Sequence, residues 1–163
     1  YMDTYQVLPG DDGGLAMLRA RGGSWANVFG SSAGDRDSVI GDLTMFSNTA
    51  NTENTYFFAH LRAAGLLTGN PAQGDLPVNP FGGLVGVGSG GAFGITGNAQ
   101  VCMQNVPGKI AAAVDRQLGD GVANSGIMRA LAGNAPTPAP SATTPAVAAF
   151  NEEAVYTLCK SLQ

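Results

Sequence analysis

Few residues in this chain are of types that could do chemistry. There are two cysteines, one histidine and twelve carboxylates thinly spread over 163 residues. Cys102 lies in Gln-Val-Cys-Met-Gln-Asn-Val, whose alternation predicts a strand, and Cys159 ends Ala-Val-Tyr-Thr-Leu-Cys, the last strand-like run. Two cysteines on two strand-like segments, with no third to compete, point to one structural disulfide tying the C-terminal tail to the body of the domain. Two buried free thiols are the alternative. A disulfide persists in oxidising compartments, so its presence would place the protein outside the cytoplasm.

The remaining motifs fare worse. Gly30-Ser31-Ser32-Ala33-Gly34 has the spacing of a nucleophile elbow, with Ser32 as the candidate. That chemistry needs a strand before the serine, a helix after it and a histidine to take its proton. The sole histidine, His60, is embedded in Phe57-Phe58-Ala59-His60-Leu61, where a hydrogen-bonded packing role is the plainer reading. Gly86-Val87-Gly88-Ser89-Gly90-Gly91 has dinucleotide-loop spacing but joins two strand-like runs and opens no helix. No helix N-terminus then waits for a pyrophosphate, and a glycine-rich hairpin turn explains the spacing. Asp11-Asp12 and Asp35-Arg36-Asp37 offer oxygen ligands of the kind calcium takes, without the twelve-residue loop spacing. Solvated turn acids or helix caps are the simpler expectation for them. No catalytic residue, cofactor or metal is expected.

The elements that must position these residues follow from breakers and periodicity. Residues 1–36 are punctuated by Pro9-Gly10, Gly13-Gly14, Gly22-Gly23 and Gly30, which predicts an irregular segment anchored by Leu15, Leu18, Trp25, Val28 and Phe29. Asp37 or Ser38 caps a predicted helix carrying Val39, Ile40, Leu43, Phe46 and Ala50. A second or continued helix opens at Thr52-Glu53, with Phe57, Phe58, Leu61, Ala64 and Leu67 as its apolar stripe and Gly65 and Gly69-Asn70-Pro71 as its stop. A hairpin is predicted from Phe81 to Ile95 around Ser89-Gly90-Gly91, then a strand over 100–106. Pro107 sits in the first turn of a helix made amphipathic by Ile110, Val114 and Leu118 and stopped by Gly119-Asp120-Gly121. Short strands follow at 126–131 and about 154–160. Between them, residues 134–149 hold four prolines among Ala, Thr and Ser, predicting an exposed loop. The fold class is α+β: one domain over 1–163, with N-terminal helices and loops packed on a small antiparallel sheet closed by the Cys102–Cys159 bridge.

Composition narrows the partners. Net charge is −4 and the eight basic residues are scattered singly, which argues against duplex nucleic acid. No apolar run reaches the ~18 residues of a membrane span. Charged residues make up only 12% of the chain, suiting an extracellular surface or a packed assembly.

Four segments in order resemble type IV pilins and the related pilin-like proteins. They are Tyr5-Gln6-Val7-Leu8-Pro9-Gly10-Asp11, the helix from Glu53 through His60-Leu61 to Ala64-Gly65-Leu66, the run Val101-Cys102 to Asn105-Val106-Pro107 continuing through Ala113–Gly121, and the terminal Cys159. The resemblance implies a lollipop subunit, in which a long apolar N-terminal helix carries a pilin-like α+β head with a C-terminal disulfide region. It implies processing from a prepilin and assembly into an extracellular filament, with other pilin subunits and the pilus or secretion machinery as partners. Tyr1 would then lie near the end of that helix, and membrane contact would run only through the helix. A pseudopilin of a type II secretion system is the alternative within the family. A secreted, disulfide-stabilised binding module is the alternative outside it, and an enzyme the last choice.

Overall fold

The computed structural model of the chain describes residues 1–30, 34–41, 45–47, 52–95, 99–133 and 149–162. It is a mixed helix-and-strand fold with one four-stranded antiparallel sheet and one disulfide, as the α+β reading expects. The chain divides into two compact units, Tyr1–Gly41 with Asn48–Leu76, and Asp42–Ser47 with Pro77–Gln163.

The first unit is helical and loop-rich. It holds α1 (Met2–Tyr5), α2 (Leu15–Arg19), a single 3-10 turn (Gly23–Trp25) and α3 (Glu53–Ala63). Leu18, Trp25 and Val28 are buried against Ala59 and Ala63 of α3, with Leu15 and Phe29 packed alongside. The five anchors read from sequence therefore line this core. The buried face of α3 is only partly the predicted one: Phe58 is buried and Ala64 packs on the core as expected. Tyr56, Ala59, His60 and Ala63 turn inward at helical spacing, while Phe57 and Leu61 are half-buried. His60 stacks with Tyr1 and Tyr56 and meets the Trp25 ring at a tilt, and these ring contacts turn that side of the helix inward.

The helix expected from Asp37 onward is absent from residues 37–41 and 45–47; its other positions lie outside the described residues. Carboxylates explain the loss. The backbone N–H groups of Arg36 and Ser38 donate to Asp11, that of Asp37 to Asp35 (3.2 Å), and that of Val39 to Asp37 (2.7 Å). Arg36 and Ser38 both sit at φ 67°, outside any helix. Side-chain acceptors have captured the donors a helix would need.

The second unit is built on the sheet, with strands β1 (Val85–Gly88), β2 (Gln100–Pro107), β3 (Met128–Ala132) and β4 (Val155–Ser161) in the order β1-β2-β4-β3. The predicted hairpin forms differently: β1 pairs with β2, and residues 92–94 make a 3-10 turn in place of a returning strand. Phe93 takes φ 56° there, and Gln100 accepts the N–H groups of Gly91 and Ala92, pinning the turn over the sheet. Strand β2 carries a bulge between Met103 and Val106, with Asn105 at φ 58°. The bulge resets the alternation so that both Met103 and Val106 reach the same apolar cluster. The expected exposed loop at 134–149 lies outside the described residues except for Ala149, which is exposed.

Helix α4 (Gly108–Leu118) covers one face of the sheet, with Pro107 as its N-cap residue. Its inner face is Gly108, Ala111, Ala112 and Asp115; of the three predicted core contacts Val114 packs on the apolar cluster of the sheet, whereas Ile110 and Leu118 are 40% and 53% exposed. Small residues let the helix lie close: a Cβ on Gly108 would strike the Asn151 carbonyl. At the far end a side chain on Gly119 would run into the Asp115 carboxylate, which fixes the stop at glycine.

The opposite face holds the disulfide. Cys102 and Cys159 are directly paired across β2 and β4, fully buried beneath Met45, Phe46, Phe93 and Ile95. Gly86 on β1 makes room for this cover, because a Cβ there would collide with the Met45 carbonyl. Among the described residues, no helix is long and apolar enough to cross a membrane.

Candidate functional site

Two places concentrate the unusual chemistry. One is the disulfide in the second unit; the other is the Asp11-Asp12 pair in the first. The two aspartates are not the solvated turn acids expected from their sequence setting. Both are fully buried. The chain after Pro9-Gly10 runs under its neighbours, and each carboxylate is met by donors from elsewhere in the unit.

Asp12 receives Arg21 through two hydrogen bonds of 2.7 and 3.1 Å, Arg36 at 3.4 Å, and the Tyr1 hydroxyl. Arg21 in turn lies over the rings of Tyr5 and Trp25, 4.4 and 4.6 Å from their centroids. Burial works against the Asp12 charge, but the bonds from Arg21 and Tyr1 outweigh it, so its pKa falls below the ordinary carboxylate value. Burial and the adjacent Asp12 push the Tyr1 hydroxyl far above its usual range. Tyr1 is therefore a fixed donor and Asp12 a fixed anion, an arrangement that holds structure and moves no proton near neutral pH.

Asp11 faces the other way. Beyond capping Arg36 and Ser38, it meets Asp35 and Glu53, and one oxygen from each lies within 4.8 Å of the others. Hard oxygen donors at this spacing are the set among the described residues that could share a divalent cation. Burial raises the Glu53 pKa; the Gly41 N–H, 2.7 Å from Glu53, opposes this, and the charges of Asp11 and Asp35 add to it. Glu53 is the member the sequence reading missed. Its position in the first turn of α3 was the available signal, since a carboxylate there is drawn toward free backbone N–H groups. Asp37 stays out of the cluster and caps Val39.

His60 is buried, as a packing histidine should be. Its Nδ1 accepts the Gly10 N–H at 2.9 Å, and its ring stacks with Tyr1 and Tyr56. Nδ1 is thus unprotonated. Burial lowers the pKa from 6.5 to about 4; Asp12 opposes that fall and Arg21 assists it. A measurable consequence follows. An unfolded chain takes up the His60 proton near pH 6.5, and the folded chain only near 4. Folding stability is therefore full above pH 6.5, declines as pH drops toward 4 and levels off below, a loss of about 3 kcal/mol. Urea titrations at stepped pH should show this slope in the native protein and not in His60→Gln, whose amide oxygen can still accept from Gly10. Equal slopes in the two proteins would refute the assignment.

Of the other sequence motifs, Ser32 lies outside the described residues. Gly86 and Gly88 belong to β1, and only a three-residue 3-10 turn follows them, so the glycine run is strand and turn. Cys102 and Cys159 are brought together as expected. Arg129 braces the cover over them by donating to the Phe93 carbonyl at 2.7 Å. No protein-family model, curated protein or solved structure matches this chain.

Proposed function

We propose that the chain is the pilin-like head of a structural subunit in an extracellular, type IV pilus-like filament, with other subunits and the assembly machinery as its partners. The observation that carries this reading is the placement of the bridge. β4 lies between β2 and β3, is buried on both faces, and is joined to β2 by Cys102–Cys159. The strand is thereby locked into the middle of the sheet. A subunit that must keep its shape under tension outside the cell gains most from such a lock.

The sheet edges support the same reading. The Val85 N–H on β1 donates to the Pro77 carbonyl, and the Ala130 N–H on β3 to Ala123, both at 2.8 Å. These bonds blunt strand-to-strand pairing and leave assembly to side-chain surfaces. In this role the head binds no cofactor and catalyses nothing. The Asp12–Arg21–Tyr1 cluster then ties the start of the chain, where an upstream segment would join, to the first unit's core.

The test is to shear filaments from cells expressing the full gene product and probe them with antibody against this domain. Labelling along surface filaments is the expected result. Antigen confined to the periplasm would favour a secretion pseudopilin, and antigen only in the soluble medium would favour a free binding module; either overturns the proposal.

A further inference from the structure

Helix α4 turns part of its apolar surface outward. Its small residues and Val114 pack on the sheet side, and its two largest aliphatic residues, Ile110 and Leu118, face solvent. Burying Ile and Leu normally stabilises a helix by more than burying Ala and Gly does, so this outward stripe is not explained by folding.

The cations make a second anomaly. Six of the eight basic residues are engaged within the chain. Arg21 and Arg36 bind Asp12, and Arg19, Arg62, Arg129 and Lys160 donate to backbone carbonyls. The other two, Lys109 and Arg116, make no hydrogen bond or ion pair among the described residues, and both stand exposed on α4. Seven residues apart, they share a side of the helix about 10 Å apart along its axis. Lys109 stands in the first turn, where the helix dipole disfavours a cation. Its position serves neither the helix nor any internal partner.

Resting on the filament reading above, we propose that the outer face of α4, with Ile110, Leu118, Lys109 and Arg116, is an assembly surface that receives the Asp35–Val39 turn of a second copy of this chain. Charge narrows the occupant to an acidic face. An α4–α4 contact would set Lys109 and Arg116 against themselves, so the partner face must be a different, acidic one. The Asp35–Val39 turn presents two exposed carboxylates beside Val39, itself 39% exposed. Neither carboxylate has a basic partner among the described residues, and Arg36 between them reaches back to Asp12. The turn is also pre-shaped, because Asp11, Asp35 and Asp37 hold its N–H groups. A contact between two different faces is head-to-tail, the class that builds open helical filaments wherever its rotation does not close into a ring.

The isolated domain provides the test, through amide spectra recorded from dilute to concentrated protein at low salt. With a self-affinity of about 1 mM, the weak end of the scale, residues 109–118 and 35–39 should shift together with concentration, and added salt should suppress the effect. Lys109→Glu with Arg116→Glu, and separately Asp35→Lys with Asp37→Lys, should each weaken association roughly tenfold or more. Mixing the two variants should restore it, since each then offers the face the other lacks. Folding is checked by the core methyl signals of Ile95 and Val106 for the α4 variant and of Leu18 and Val28 for the turn variant. Shifts confined to other residues, a Lys109/Arg116 variant that associates normally, failure of the mixture to rescue, or binding to phosphatidylserine vesicles without self-association would each overturn the proposal. Filament labelling with no such self-association would remove this interface and leave the filament reading standing.

Discussion

Replacing both Cys102 and Cys159 with Ala is expected to lower the unfolding free energy by about 4 kcal/mol, judged from the entropy of closing a loop of this length in the unfolded chain. The sequence separation is 57 residues. Domains of this size hold only roughly 5–15 kcal/mol in total, so the variant should melt far earlier or populate unfolded chain at ambient temperature. A second expectation concerns access. Both cysteines are fully buried beneath Phe93, Ile95, Met45 and Phe46. A small thiol or phosphine should therefore leave the bridge intact in native protein and cleave it quickly once urea opens the sheet. Thiol counting by mass after each treatment reads this directly. Fast reduction in native buffer, or a double variant as stable as the parent, would show that the bridge neither lies buried nor holds the C-terminal strand.

The legible parts of this fold were those set by local rules. Alternation marked the strands carrying Cys102 and Cys159, and the absence of other cysteines left them one partner. Pro107 and Gly119 bracketed α4 closely. What periodicity could not give was which side of a helix turns inward. On α4 the apolar spacing of Ile110, Val114 and Leu118 is a true stripe, yet only Val114 packs on the sheet's cluster, and the buried positions include Gly108, Ala111 and Ala112, whose small side chains allow a close approach. The stretch after Asp37 has helical spacing too, but Asp11, far away in sequence, takes the N–H groups a helix would use. Long-range competition of this kind leaves no mark on a local pattern. It also hid the acidic site, where Glu53 joins Asp11 and Asp35 across the unit.

Asp12 should be the most costly single carboxylate to remove. Asp12→Ala would leave the Arg21 guanidinium, lying over Tyr5 and Trp25, without its anion and the Tyr1 hydroxyl without its acceptor. Breaking a buried pair from one side costs about 3–5 kcal/mol, and Arg21, with its side chain 24% exposed, places the expected loss toward the lower end of that range. Removing Arg21 as well should recover part of the loss, since the stranded charge goes with it; that non-additivity separates an ion pair from simple loss of volume. The pH windows keep the effects apart. Asp12 has a depressed pKa, so its contribution is present above the ordinary carboxylate value of 3.8 and fades below it, whereas that of His60 changes between 6.5 and about 4. The two are linked, because the Asp12 charge favours protonated His60. In Asp12→Asn the acid step assigned to His60 should therefore extend to lower pH. An Asp12→Ala variant within about 1 kcal/mol of the parent, or an unmoved His60 step in Asp12→Asn, would mean that Arg21 and Tyr1 find water as good a partner as the buried carboxylate, and that the start of the chain is not fixed to the first unit by this cluster.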